Sequence, residues 1–305
     1  MTAAPYPVLA TVELVGLATV QDVGRPEVTA IGVPRSGAWH LERYSVAVAL
    51  VARDPAPTHP AVELLAGTIV LRAWTTTAAA VVGPACVLID DGDAPLGTTL
   101  ALAPGTVLTV RHTGRGPVYV ALAGWHEPLV LGSSATDTFG RIGGRVLADG
   151  HALHGHGDTS EVGAFARPLR VDSSILRMIP AHGMAGPDVT DLGHAWETTT
   201  TARSGTRFAG PPAGGAGAGA SRPMVVGAVQ VTPAGEGIVL GPDGGLSGGY
   251  PVIGAVIRAD LDLVSLLAPG DRVTLAPVDI EEAVAAFEAN ERALRRCVVR
   301  PHVIG

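Results

Sequence analysis

The stretch Val225-Val-Gly-Ala-Val-Gln-Val-Thr-Pro-Ala-Gly-Glu-Gly-Ile-Val-Leu-Gly-Pro-Asp-Gly-Gly-Leu-Ser-Gly-Gly-Tyr-Pro-Val-Ile-Gly-Ala-Val-Ile257 decides the fold class. Its β-branched patches, Val225 to Val231, Ile238 to Leu240 and Val252 to Ile257, are separated by Pro/Gly clusters. That spacing predicts short strands joined by turns, a β meander, rather than a helix. Gln230 lies in the first patch among apolar and small neighbours, and the only other glutamine, Gln21, also follows a valine. A carboxamide on a strand near an apolar surface needs partners, because an unpaired one costs about 1–3 kcal/mol. Two readings stay open for it: a structural amide pinning a turn, or a ligand contact.

Outward from this stretch the same texture continues. Val8 to Leu17 reads as a strand running into Thr19-Val-Gln-Asp-Val-Gly-Arg25, where Gly24 and Pro26 end regular structure. Gln21, Asp22 and Arg25 fall within one turn and can form either a polar ligand cradle or a self-satisfied ion-paired turn. After the loop Gly32-Val-Pro-Arg-Ser-Gly-Ala38, the segment Trp39 to Arg53 suits one amphipathic helix, with Tyr44, Val48 and Val51 on its apolar side and Asp54-Pro55 as its stop. Runs at Ile69 to Trp74, Ala80 to Val82, Val87 to Ile89, Val107 to Val110 and Val118 to Leu122 predict a sandwich or barrel. Asp279 to Arg296 reads as a second amphipathic helix with Val284, Phe287 and Leu294 on its apolar side.

The halves echo each other weakly. Ala103-Pro-Gly-Thr-Val-Leu-Thr109 resembles Ala268-Pro-Gly-Asp-Arg-Val-Thr274, and the two Val-Gln dipeptides stand in related positions. The sequence restarts around Phe165 to Val171, so two related β domains are expected, residues 1–165 and 166–305, the second carrying the C-terminal helix. The run Gly210 to Ser221 is nearly all Gly, Ala and Pro and is expected as a surface loop, with neither the strand before it nor the helix after it that a dinucleotide fingerprint needs.

Composition narrows the chemistry. The 305 residues include 40 glycines and 24 prolines, which favours turns over long helices. A formal charge of -7 offers no cationic field to a phosphate backbone, so no nucleic-acid partner is expected. All 21 basic residues are arginine, so this chain cannot form a Schiff base, complete a Walker-type phosphate loop or carry biotin or lipoate on a lysine. Cys86 and Cys297 have no metal-ligand spacing and read as reduced thiols of a cytoplasmic protein. No apolar run reaches the length of a membrane span, and the N-terminus lacks a secretory pattern.

Several motifs fail on inspection. Asp90-Asp-Gly-Asp93 lacks the later ligands of a calcium loop and reads as a hairpin turn. His151, His154 and His156 with Asp158 fit no zinc spacing, so no metal is expected. Gly245-Leu-Ser-Gly-Gly249 matches a nucleophile-elbow pattern, but Tyr250-Pro251 follows where a helix is required. Glu63, in Ala61-Val-Glu-Leu-Leu, is a lone carboxylate among apolar residues; it reads as an acid or base, or as a buried acid paired to an arginine.

Val20-Gln-Asp-Val-Gly-Arg25, Gly32-Val-Pro-Arg-Ser-Gly-Ala38, Leu131-Gly-Ser-Ser-Ala-Thr136, Gly227-Ala-Val-Gln-Val231 and Gly248-Gly-Tyr-Pro251 occur in an order and spacing that resembles the allophanate hydrolase subunit 2 family. That family is also known as biotin-dependent carboxyltransferase or as the C-type 5-oxoprolinase subunits, and the likeness runs from about residue 10 to 276. The resemblance implies a mainly β chain of two cyclophilin-like β-barrel domains with a few short helices. It implies work beside a B-type sister protein, also called subunit 1, and a lactamase-type sister of the A type, on a small amide or lactam, with no membrane partner. The leading expectation is the C-type component of an ATP-dependent 5-oxoprolinase. The alternatives are biotin-dependent carboxyl transfer to urea or a similar amide, and a non-catalytic regulator that binds its sister protein. The ATP or biotin would come from partner subunits, none being held by this chain.

Position by position, the resemblance makes Asp22 and Glu63 the catalytic candidates. Gln21, Arg25, Ser36, Ser133, Thr136, Gln230, Gly248, Gly249 and Tyr250 become the substrate-binding ones, with the two glutamines orienting a flat amide or urea-like ligand between the barrels. The chain departs from the family pattern at Trp39-His40, at Ser134 and at Gly244-Gly245, which removes cationic and amide side chains. Either the ligand differs or the activity is weaker.

Overall fold

The computed structural model describes residues 6–167, 174–181, 194–210 and 219–300. Residues 211–218 of the Gly/Ala/Pro-rich run, and 168–173 at the expected restart, lie outside them. The chain is mainly β and divides into two compact units. The first comprises Met1–Pro26, Ser36–Leu169 and Leu294–Gly305, and the second comprises Glu27–Arg35 and Arg170–Ala293.

The first unit holds β1 (Val8–Gln21), α1 (Leu41–Val51), β2 (Ala61–Ala73), β3 (Thr77–Val82), β4 (Ala85–Ile89), β5 (Gly92–Ala94), β6 (Thr99–Leu102), β7 (Val107–His112), β8 (Val118–Leu122), β9 (Trp125–His126), β10 (Ala152–Gly155) and the short β11 (Phe165–Ala166). Ten of these strands form one sheet that forks at β2. Its N-terminal half pairs with β8 through Glu63↔Tyr119, its C-terminal half pairs with β7, and β1 runs along both. The expected Asp90-Asp-Gly turn is there: Asp90 and Asp91 take φ of 48° and 69° between β4 and β5, the left-handed pair that a tight hairpin requires.

One face of the sheet closes over Leu9, Val20, Leu64, Ile69, Leu108 and Leu122. The other is paved with Ala61, Ala78, Ala80, Ala121 and Ala123, and α1 packs on it through Tyr44, Ala47, Val48 and Val51. A floor of alanines leaves room for the helix to approach closely. The helix starts where His40 Nδ1 accepts from Arg43 N (3.4 Å) and stops before Asp54-Pro55.

The second unit contains β12 (Ile175–Pro180), β13 (Ala195–Thr200), β14 (Gly205–Ala209), β15 (Arg222–Pro223), β16 (Ala228–Val231), β17 (Glu236–Leu240), β18 (Ser247–Gly248), β19 (Val252–Val256), α2 (Leu261–Val264) and β20 (Arg272–Pro277). Seven strands close a barrel in the order β12-β19-β16-β17-β14-β13-β20. Leu176, Met178, Phe208, Val229, Val239 and Leu275 fill it around Trp196. Gly237 makes room for that indole, since a Cβ there would lie 2.7 Å from its ring. Strands β15 and β18 pair with each other alone as a small flap.

The stretch from Val225 to Ile257 yields its three expected strands, but not as a meander. β19 returns to the far side of β16, because the free edge of β17 is taken by β14. The echoed Ala-Pro-Gly turns are equivalent in shape: Gly105 and Gly270 both take φ of 91°, one leading into β7 and the other into β20. The final helix, α3 (Ile280–Cys297), turns Ala283 and Cys297 inward and leaves Val284 and Phe287 exposed. Of the apolar side expected from the sequence, Leu294 packs against the core together with Cys297, whereas Val284 and Phe287 do not. β21 (Val298–Val299) follows and pairs with β11.

Candidate functional site

In the first unit the polar residues singled out from the sequence gather at the C-terminal end of β1. The cause is local: β1 must stop at Gly24, which takes φ of 92°, and the chain doubles back so that Ala38 N donates to Asp22 O (2.8 Å). Gly37, at φ 90°, is required there, because a Cβ would lie 2.6 Å from Gly24 N.

Asp22 is fully buried and spends its carboxylate on the protein. Oδ1 accepts from Gly24 N (2.7 Å) and Ser133 Oγ (2.7 Å), and Oδ2 accepts from Ser134 N (2.7 Å) and Ser134 Oγ (3.1 Å). A carboxylate has about four lone-pair directions. All are taken, so Asp22 clamps the loop after Leu131 to the end of β1 and has no position left for a substrate proton. Arg25, 1% exposed, reaches the same loop from the other side, Nη2 donating to the carbonyls of Ala135 and, at 2.8 Å, of Ile142. Thr136 Oγ1 donates to Val20 O (2.9 Å), which completes the seam. The departure at Ser134 from the family pattern is thus absorbed by Asp22.

Gln21 is also fully buried. Nε2 donates to Thr19 Oγ1 (2.9 Å) and Thr136 O (3.1 Å), while Oε1 has no partner among the described residues. Ser36, 6% exposed and held at φ 54°, likewise has a buried hydroxyl without a partner there. Glu63 lies across from Thr19 in the β1–β2 register, so it shares the face of β1 that carries Gln21. Its Oε2 accepts from Tyr119 OH (2.5 Å) and Trp39 N (2.8 Å), and Tyr119 OH accepts in turn from His40 N (3.0 Å). A phenol and a backbone amide on Glu63 thus pin Trp39 and His40.

Two neighbours are shifted by their surroundings. Burial, with Asp22 nearby, pushes the Tyr44 hydroxyl pKa well above its ordinary value, so it stays protonated and donates to His59 O (2.7 Å). Burial also lowers the His59 pKa, against the opposing effect of its bond to Leu122 O.

In the second unit Gln230 lies on β16, 5% exposed, with Nε2 3.4 Å from Met224 Sδ. Gly248 on β18 sits directly over that amide, where any Cβ would collide with Nε2. Gly249 O accepts from Gly219 N (2.8 Å), and Tyr250 is 37% exposed. Asp243 forms a buried two-pronged pair with Arg203 (2.8 and 2.9 Å), which holds the turn containing Gly244. Ser247 lies in a strand of the flap, not on an elbow.

Tyr119 escaped the sequence reading because its partner Glu63 is 56 residues away, and Met224 because a methionine beside Pro223 gives no signal of contact with Gln230. Among the described residues no group of three or more His, Cys, Asp or Glu side chains converges as a metal site, and no helix is long and apolar enough to cross a membrane. His154 Nδ1 instead bonds Tyr6 O (3.0 Å).

Residues 31–277 match the family described as carboxyltransferase domain, subdomain A and B. The chain is 28% identical over 303 residues to the C-type 5-oxoprolinase subunit of Escherichia coli, covering 93% of this chain and 96% of that one. It is 25% identical over 313 residues to urea amidolyase of Saccharomyces cerevisiae, covering 91% of this chain but 17% of the far longer relative. Among solved structures, that of TTHA0988 superposes with a TM-score of 0.81 at 30% identity, covering 92% of this chain and 57% of the other.

Proposed function

The chain belongs to the carboxyltransferase-domain family, and from that premise we propose that it is the C-type component of an assembly that opens 5-oxoproline to glutamate at the expense of ATP. The observation that carries this reading is the end-to-end likeness to a protein named as the C-type member of a 5-oxoprolinase, in which neither chain has much left over. Sister proteins of the B and A types would supply the ATP site and the lactam-opening chemistry. An ATP-consuming reaction of this kind implies a cytoplasmic site of action.

Within this chain Gln21 and Ser36 are the groups of the first unit whose buried polar atoms are left for a ligand to meet. Gln21 Oε1 would accept the N–H of a lactam, and a buried acceptor left without one carries a cost that the ligand would relieve. Asp22, Arg25, Ser133 and Thr136 hold the cradle, while Glu63 and Tyr119 position the Trp39–His40 backbone. In the second unit Gln230, beneath Gly248 and beside Gly249 and Tyr250, is the corresponding ligand contact.

A second reading rests on the likeness to urea amidolyase. There the chain would present an amide such as urea to a carboxylated biotin carried by a partner, since no lysine here can bear it. Reconstitution with candidate B-type and A-type sister proteins separates the two. Glutamate released from 5-oxoproline with ATP, only when this chain is present, supports the first reading. Carboxylation of urea only with a biotin-bearing partner supports the second, and co-purification without either turnover points to the regulatory alternative.

A further inference from the structure

We propose that the second unit binds, on the outer wall of its barrel, a small monoanionic carboxylate carried on an apolar body. Such a site goes beyond the 5-oxoproline reading and does not depend on it. Val229 and Val231 point into the barrel, so Ala228 faces outward by the two-residue period of a strand. The register sets Ala228 beside Ala255, and Ala255 beside Ile179, so the two alanines form a low floor across β16 and β19. Ile179, Val252 and Met224 stand around it, and the hollow is a cavity of about 340 Å³ whose wall is almost wholly apolar.

Among the described residues lining that cavity, Arg222 alone has a charged or polar side chain. The flap brings it there: Arg222 on β15 pairs with Gly248 on β18. A guanidinium stays charged at any physiological pH and has five N–H donors in a planar fork, so it can keep contacts within the protein and still grip a ligand. That fork matches a carboxylate, which accepts two parallel N–H bonds. The chain as a whole carries a formal charge of -7, so an anion is held here by this local charge and not by a general cationic field. One positive charge in apolar surroundings balances one negative charge; a phosphate monoester, with close to two, would bring an unpaired charge against the wall. A cation is repelled, and a neutral amide forgoes the ion pair. The volume sets the other half of the ligand. Acetate would leave most of the space empty, whereas a hydrocarbon body of about eight to ten carbons fills it and removes apolar surface from water.

The test is titration calorimetry on the full chain, without sister proteins or ATP, using octanoate, octanamide, octylammonium and acetate as probes. Octanoate is expected to bind at one site, at least about tenfold more tightly than octanamide, with no binding of octylammonium or acetate there. Arg222→Gln should weaken octanoate by about tenfold or more and leave octanamide unchanged, so that the preference between the two disappears. Ala255→Leu, which raises the floor of the cavity, should abolish octanoate binding; should Arg222→Gln fail to fold, this variant and the headgroup comparison on the parent chain decide. Absence of octanoate binding, equal or tighter binding of octanamide or octylammonium, or an octanoate affinity unchanged in Ala255→Leu overturns the proposal. No turnover is measured, so failure here leaves the 5-oxoproline reading to its own experiment.

Discussion

Asp22 shows how a residue that looks catalytic in sequence can be structural in space. Its carboxylate receives donors from Gly24, Ser133 and Ser134 with none to spare. Replacing it by alanine strands those buried donors, and the variant should lose about 3 kcal/mol or more of stability in urea unfolding. Loss of less than about 1 kcal/mol would remove the clamp from the account. Tyr119→Phe should cost about 1–2 kcal/mol, because Glu63 loses a donor and His40 N an acceptor. His59 gives a pH signature. Its folded pKa is depressed by burial, so below about 6.5 the unfolded chain takes up a proton that the native state resists, and stability falls with pH until the folded value is passed. His59→Gln should flatten that part of the profile in denaturant midpoints measured from about pH 7.5 to 5; an unchanged slope would contradict the burial argument. What sequence could say about these residues was limited to their kind. Gln21, Asp22 and Arg25 were legible as a group because they are neighbours, whereas the closure by Ser133, Ser134 and Ala135 depends on contacts between residues more than 100 positions apart.

At the scale of elements, strands were legible and their partners less so. Val118–Leu122 and Val107–His112 follow from β-branched runs between Pro/Gly turns, because that punctuation is local. The order β17-β16-β19 was not, since a sequence does not state which edge of a strand is already occupied. The helix α3 was placed correctly, and its apolar side was right at Leu294 but wrong at Val284 and Phe287. Most of its residues are small or charged, so a few large apolar ones dominated the reading, while the inward side is made by Ala283, Leu294 and Cys297. Two substitutions separate the readings. Val284→Gln, on an exposed position, should change stability by no more than about 0.5 kcal/mol, whereas Ala283→Glu should cost about 2 kcal/mol or more by burying a charge. Equal effects would restore the face expected from sequence. In the barrel, Gly237→Ala should destabilise by about 1–3 kcal/mol, because the added methyl must displace the Trp196 ring.

At the scale of the whole molecule, the absence of lysine and the order of five short motifs carried most of what was legible about role. The family and the mainly β architecture follow from them, as the match over residues 31–277 shows. Which side-chain atoms are left without a partner does not follow from motifs, because a motif names a residue and the partners of its side chain are set by the fold. Gln21 and Asp22 are adjacent in the chain; among the described residues one has an oxygen without a partner and the other has none. The account therefore turns on Gln21, and the Michaelis constant for 5-oxoproline decides it. A reconstituted assembly carrying Gln21→Met, with the thermal midpoint of the parent, should need at least about tenfold more 5-oxoproline for half-maximal glutamate release. An unchanged Michaelis constant and maximal rate in that folded variant would contradict the claim.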